Sequence, residues 1–199
     1  MLAIWLLICC GLVFAMVVLG GVTRLTGSGL SMTDWRPLMG WLPPFSDAQW
    51  QHVFTLYQQT PEFLKINSHM DVFAFKNIFW LEYLHRLLGR IVGIVFLVPF
   101  ILFLVKGYIK PAEWPKYSLM FILGGLQGAL GWYMVKSGLV DLPHVSHYRL
   151  AAHLLLAIFI LTFLVWLIMD VLRIKRIEVS NGIRRLSVGL LILLGFHKI

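Results

Sequence analysis

The chain has 199 residues, of which 59% are hydrophobic and 13% are charged, and its formal net charge is +8. Its mean hydropathy of +0.83 lies outside the balance of soluble globular proteins, which excludes a soluble enzyme or a soluble nucleic-acid-binding domain. The sequence therefore predicts an integral membrane protein, and its positive charge needs an explanation other than nucleic acid.

Four apolar segments are long enough to cross a bilayer, which takes about 20 helical residues. A fifth begins near Leu186 and ends at Ile199, too short to cross. Short connections make neighbouring spans antiparallel, so the predicted fold class is all-α integral membrane: an up-down four-helix transmembrane bundle with the start of a fifth helix. The predicted spans are Leu2–Val22, Ile78–Val105, Tyr117–Val135 and Leu150–Leu172.

The basic residues explain the net charge. Three lysines lie between the second and third spans, and five lysines and arginines follow the fourth span. Short connections rich in Lys and Arg stay on the cytoplasmic side of a membrane. We therefore expect a cytoplasmic N-terminus, a bundle of residues 1–172 and a basic cytoplasmic loop with a truncated fifth helix at 173–199. The lipid bilayer, not nucleic acid, is the expected partner.

A long external loop, residues 23–77, joins the first two spans. Within it, Ser46 and Gln49 have the spacing of a capping box, which marks a helix start. Trp50, Phe54 and Tyr57 then follow at helical spacing. The pattern predicts a helix near 46–60 that lies on the outer membrane surface or covers the bundle.

Four glycines in the third span indicate where this helix packs closely against a neighbour. Gly124, Gly125, Gly128 and Gly131 have the small-residue spacing that lets membrane helices approach closely. We therefore expect them at a helix–helix interface.

Three ionisable residues inside the spans suggest a functional site. Glu82 and His85 lie one turn apart in the second span, and His153 begins the fourth. Both histidines are expected in the outer half of the membrane, roughly 10 Å and 6 Å from the ends of their spans at 1.5 Å per residue. Such residues are costly in a bilayer and usually face a bundle interior.

Two neutral imidazoles from two helices suit the axial ligation of haem iron, so His85 and His153 are the predicted metal ligands. Glu82 is the candidate catalytic residue; it could orient a histidine, transfer protons or balance charge. Two alternatives stay open, histidines that only donate interhelical hydrogen bonds and a zinc site. The expected partners of porphyrin propionates are arginines near the same level, although two of them could instead pair with Glu82. These candidates are Arg24, Arg86, Arg90 and Arg149.

Several strings in these regions, in the same order, resemble the proteobacterial and mitochondrial branch of the haem A synthase family. The resemblance implies that the chain is the N-terminal half of an eight-helix, pseudo-symmetric fold. It also implies location in the bacterial inner (plasma) membrane, or in the mitochondrial inner membrane if the source is eukaryotic. The strings are Gly20–Trp35, Pro61–Phe63, Glu82–Arg86, Gln127–Leu139 and Val145–His153.

The family implies an oxidoreductase that oxidises the C8 methyl of haem O to the formyl group of haem A for terminal oxidase biogenesis. By resemblance, His85 and His153 are a haem-binding pair, Glu82 is required for activity, haem O is the substrate of this half, and a haem b cofactor resides in the C-terminal half. Further partners would be an unidentified electron donor and either a second copy of the chain or a haem O synthase. Activity of the half alone is an open question. The competing function is a non-catalytic b-type haem electron carrier with two histidine ligands, which would not need Glu82.

Overall fold

The computed structural model describes residues 1–33, 41–138, 145–174, 180–182 and 185–189. Within these ranges the regular structure is helical and contains no strand. The predicted basic loop and fifth helix at 173–199 lie mostly outside them.

Four helices are long and apolar enough to cross a membrane, which confirms the predicted all-α membrane fold class. The third helix starts earlier than the predicted Ile78 because the side chain of Asp71 caps it, accepting a hydrogen bond of 2.8 Å from the amide of Ala74. The helices are α1 (Leu2–Leu25), α2 (Asp47–Gln58), α3 (Val72–Val105), α4 (Trp114–Gly138) and α5 (His147–Val171), with a short π-helix at Phe63–Asn67 between α2 and α3.

The spanning helices pack as a four-membered ring. Helix α1 lies between α3 and α5, and α4 contacts both α3 and α5 from the other side. One end of the ring is filled by apolar and aromatic side chains, and Trp5 of α1 also donates a hydrogen bond of 2.9 Å to the carbonyl of Val95 in α3. This core fixes α1 against α3 and so sets the positions of residues further along both helices. Its buried members include Trp5, Leu6, Phe96, Phe100, Tyr117, Leu164 and Leu167.

A second aromatic cluster joins α2 to α3 near the start of α3. Helix α2 begins at a complete capping box, in which Ser46 and Gln49 each bond the other's backbone amide. It thereby presents three aromatic rings to α3, and this contact holds α2 over the N-terminal part of that helix. The cluster contains Trp50, Phe54 and Tyr57 of α2 and Phe75, Phe79 and Tyr83 of α3.

The packing prediction for the glycines of α4 is wrong at three of four positions. A Cβ atom added at Gly124, Gly125 or Gly128 would meet no described atom within 4 Å. Their side of α4 therefore makes no close helix contact among the described residues. Only Gly131 has a close neighbour, and that neighbour is an imidazole ring.

Candidate functional site

His85 of α3 lies half-buried against α1. A Cβ atom built on Gly20 would be 3.1 Å from Nε2 of His85, closer than ordinary van der Waals contact. Glycine has no Cβ atom and therefore leaves room for the imidazole where α1 and α3 pack together. This contact explains why the Gly20–Trp35 string begins with glycine.

His153 of α5 is held in the same manner by α4. A Cβ atom on Gly131 would lie 3.0 Å from Cε1 of His153. One turn earlier on α4, Gln127 donates a hydrogen bond of 3.0 Å from Nε2 to the backbone carbonyl of His153. Each predicted histidine therefore sits in a space made by a glycine of the neighbouring helix.

The two imidazoles lie near enough that a charge on one acts on the other. Two buried atoms beside this pair, Nδ1 of His153 and Oε1 of Gln127, have no hydrogen-bond partner among the described residues. Buried polar atoms without partners are uncommon and call for an explanation such as a ligand or water. The described residues contain no cluster of three or more His, Cys, Asp or Glu side chains suited to a metal ion. Among the described residues the candidate donors at this point are the two imidazoles, and two neutral imidazoles are a usual ligand pair of haem iron.

Glu82 is only 3% exposed, and both of its carboxylate oxygens have hydrogen-bond partners. Its Oε2 accepts hydrogen bonds of 2.7 Å from the hydroxyl of Ser31 and 2.8 Å from the amide of Met32, and its Oε1 pairs with Arg86 at 2.5 Å. Arg86 also donates to the carbonyl of Met32 at 3.0 Å. The carboxylate therefore fastens α3 to the loop that follows α1, one turn from His85.

The four candidate arginines are placed differently. Arg86 is the partner of Glu82, one of the alternatives left open by the sequence. Arg90 lies over the ring of Trp41 at 5.6 Å, and Arg149 lies over the ring of Tyr133 at 4.8 Å. Arg24 is exposed in the last turn of α1. Of the four, Arg86 is the one seen to pair with Glu82 among the described contacts.

Sequence reasoning did not assign three residues that complete this arrangement. Ser31 and Met32 belong to the loop after α1 and bond Glu82 from about fifty positions away along the chain. Gln127 is part of a string that the resemblance rests on. Its spacing from Gly131, one helical turn, was the only signal that could have placed it beside the imidazole.

Comparison with known proteins gives one family and many relatives. The family model described as cytochrome oxidase assembly protein matches residues 3–198. The chain is 53% identical over 186 residues to a haem A synthase of Nitrosospira multiformis, covering 93% of the chain and 52% of that protein. It is 54% identical over 170 residues to one of Paramagnetospirillum magneticum, covering 85% and 48%.

A third relative, the haem A synthase of Parvibaculum lavamentivorans, is 46% identical over 198 residues, covering 100% of the chain and 58% of that protein. The chain thus spans about half the length of the curated relatives it matches. No solved structure matches it. The candidate site residues lie within the range 3–198 that the family model matches.

Proposed function

Because the chain belongs to the family of cytochrome oxidase assembly proteins, we propose that it is the substrate-binding half of a haem A synthase. In this proposal the enzyme is an oxidoreductase that converts the C8 methyl group of haem O to the formyl group of haem A. The family membership and the names of the relatives support the reaction class. The main support for substrate binding in this half is the pair His85 and His153, each of which packs against a glycine of the neighbouring helix.

The fit to a porphyrin rests on the surroundings of the two imidazoles. They come from α3 and α5, they lie within electrostatic reach of each other, and His153 has a buried ring nitrogen without a partner among the described residues. An apolar helix bundle with neutral imidazoles is the usual environment of a haem with histidine ligands. His85 and His153 would therefore hold the iron of haem O.

The four arginines differ in their contacts. Arg90 and Arg149 lie over aromatic rings, a cation–π contact that holds each guanidinium in place. Arg86 already pairs with Glu82. We assign propionate contacts to Arg90, Arg149 and Arg24, and we assign Arg86 to holding Glu82.

Glu82 would supply fixed negative charge beside the substrate. Its two oxygens accept hydrogen bonds from Ser31, Met32 and Arg86, which hold the carboxylate in one position. A carboxylate held in this way suits the stabilisation of cationic charge that develops as the methyl group is oxidised.

The remaining assignments follow from the family and the charge pattern. The four apolar helices support a multi-pass membrane protein. We place it in the bacterial inner membrane with the N-terminus in the cytoplasm, since Lys106 and Lys110 lie in the short α3–α4 connection. The haem b cofactor is assigned to the half of the family's fold that this chain does not span.

A binding experiment tests the proposal. The purified chain in lipid nanodiscs is titrated with haem O and with haem B, and the optical spectrum is recorded for wild type, His85→Ala and His153→Ala. The control is His52→Ala, which removes an exposed histidine of α2. We expect haem O to bind to wild type and control and to be lost or spectrally altered in both site variants.

Three results would contradict the proposal. These are no haem binding to wild type, unchanged spectra in both site variants, and a preference for haem B over haem O. The last result would favour the electron carrier instead. Extraction of the bound haem after incubation with a reductant and oxygen then shows whether any formyl product forms in this half alone.

A further inference from the structure

A second buried carboxylate lies near Glu82 and has no role in the proposed function. Glu62 directly precedes the π-helix Phe63–Asn67, and it is only 7% exposed. Its Oε2 atom is buried and has no hydrogen-bond partner among the described residues. A carboxylate buried in this state is costly if it is ionised, so the site favours the protonated form.

Glu62 lies beside Tyr57 of α2. Tyr57 is fully buried, and its phenolic oxygen accepts a hydrogen bond of 2.7 Å from the side-chain amide of Asn67. The hydroxyl hydrogen of Tyr57 therefore points away from Asn67 and acts on the carboxyl group of Glu62, whose pKa it lowers. Oε2 of Glu62 has no partner among the described residues.

Glu62 and Glu82 are close enough to repel each other when both are charged. Among the described residues, the titratable groups that act on Glu62 are Tyr57 from α2 and Glu82 from α3. Lys65 of the π-helix is exposed. Glu82 has three hydrogen-bond donors, whereas Oε2 of Glu62 has none among the described residues. Burial first, and then repulsion from Glu82, raise the pKa of Glu62 from 4.5 to about 7, while the Tyr57 bond opposes that rise.

We propose that Glu62 is the proton-exchanging carboxylate of this site and that Glu82 stays bound by its three donors. This proposal rests on the proposed function, because it assigns Glu62 to the oxidation carried out beside Glu82. In the step itself, an O–H bond breaks on a water or hydroxyl group in the site, and a new O–H bond forms at Oε2 of Glu62. The same proton then passes to water on the outer side, and the carboxylate is restored.

Infrared spectroscopy on the haem-free chain in nanodiscs tests this directly. The C=O stretch of a protonated carboxylic acid is followed against pH in wild type, Glu62→Gln and Glu113→Gln. Glu113 is a matched control, because it is a partly exposed glutamate beside Lys116, remote from the site. We expect a band with a midpoint near pH 7 in wild type and control, and loss of that band in Glu62→Gln.

Two further variants must shift the midpoint in opposite directions. Glu82→Gln removes the repulsion and should lower it, whereas Tyr57→Phe removes a bond to the carboxylate and should raise it. In heavy water the band should shift, because an exchanging proton is replaced by deuterium. These variants keep the test valid even if Glu62→Gln does not fold.

The proposal is overturned by a band that titrates near the ordinary glutamate value, by a midpoint that does not respond to Glu82→Gln, or by a band that does not exchange in heavy water. None of these readouts involves haem. Failure of haem binding in wild type would therefore count against the proposed function alone, and failure of the titration would count against the role of Glu62 alone.

Discussion

Gly131 and His153 are in contact where α4 meets α5, since a Cβ atom on Gly131 would lie 3.0 Å from Cε1 of the imidazole. The contact explains why a helix that could gain stability from alanine has glycine here. Alanine is favoured over glycine within a helix by about 1 kcal/mol. The position of the His153 ring therefore depends on the absence of a side chain at Gly131.

Gly131→Ala should displace the His153 ring and weaken haem binding by about tenfold, or about 1.4 kcal/mol. The ring is the far end of a rotatable side chain, so it should move and the thermal stability should change little. Haem titration in nanodiscs, together with a melting curve, measures both effects. Gly124→Ala is the control, because its added Cβ would meet no described atom within 4 Å. Equal affinities in the two variants would contradict the assignment of His153.

Glu82 should have separable structural and electrostatic effects. Glu82→Ala removes the carboxylate that accepts from Ser31, Met32 and Arg86 and should destabilise the chain by about 3–5 kcal/mol, as expected when one partner of a buried ion pair is removed. Glu82→Gln keeps an oxygen that can accept from Ser31 and Met32, so it should melt at a higher temperature than Glu82→Ala and still bind haem. A loss of haem affinity in Glu82→Gln as large as that in His85→Ala would show that Glu82 holds the substrate instead.

The pH dependence of stability should carry a contribution from Glu62. Its pKa in the folded chain is about 7, above the ordinary 4.5, so the folded state binds more protons than the unfolded state between these values. The stability from this group is therefore fully present below pH 4.5 and is lost as the pH rises to about 7, by about 3 kcal/mol at most. Melting curves across this range should show a smaller fall in Glu62→Gln than in wild type and Glu113→Gln. Parallel curves in all three proteins would contradict the burial of a titrating carboxyl group at Glu62.

The sequence was sufficient for the four spans, because apolar length is a local property, whereas the pairing of His85 with His153 stays a prediction. The sequence could not place the partners of Glu82, since Ser31 and Met32 approach through a loop whose path depends on tertiary packing. It also gave no role to Glu62, whose burial depends on α2 folding over α3. For the glycines of α4 the sequence predicted a contact that the described part of the structure does not contain at three positions. Their spacing is regular, but these three glycines face no described neighbour. A spacing alone does not say which side of a helix is covered by another helix.

Arg149 offers the sharpest test of how the substrate is oriented. It rests on Tyr133 at 4.8 Å, so its charge is available to a propionate. Arg149→Ala should weaken binding of haem O about tenfold. The same variant should bind haem O dimethyl ester as well as wild type does, because the ester has no carboxylates to lose. Lys136→Ala is the control, since Lys136 lies over Trp132 at 5.0 Å on the same helix and has no assigned role. An equal loss for acid and ester would mean that Arg149 supports the fold near α5 and does not bind the propionates.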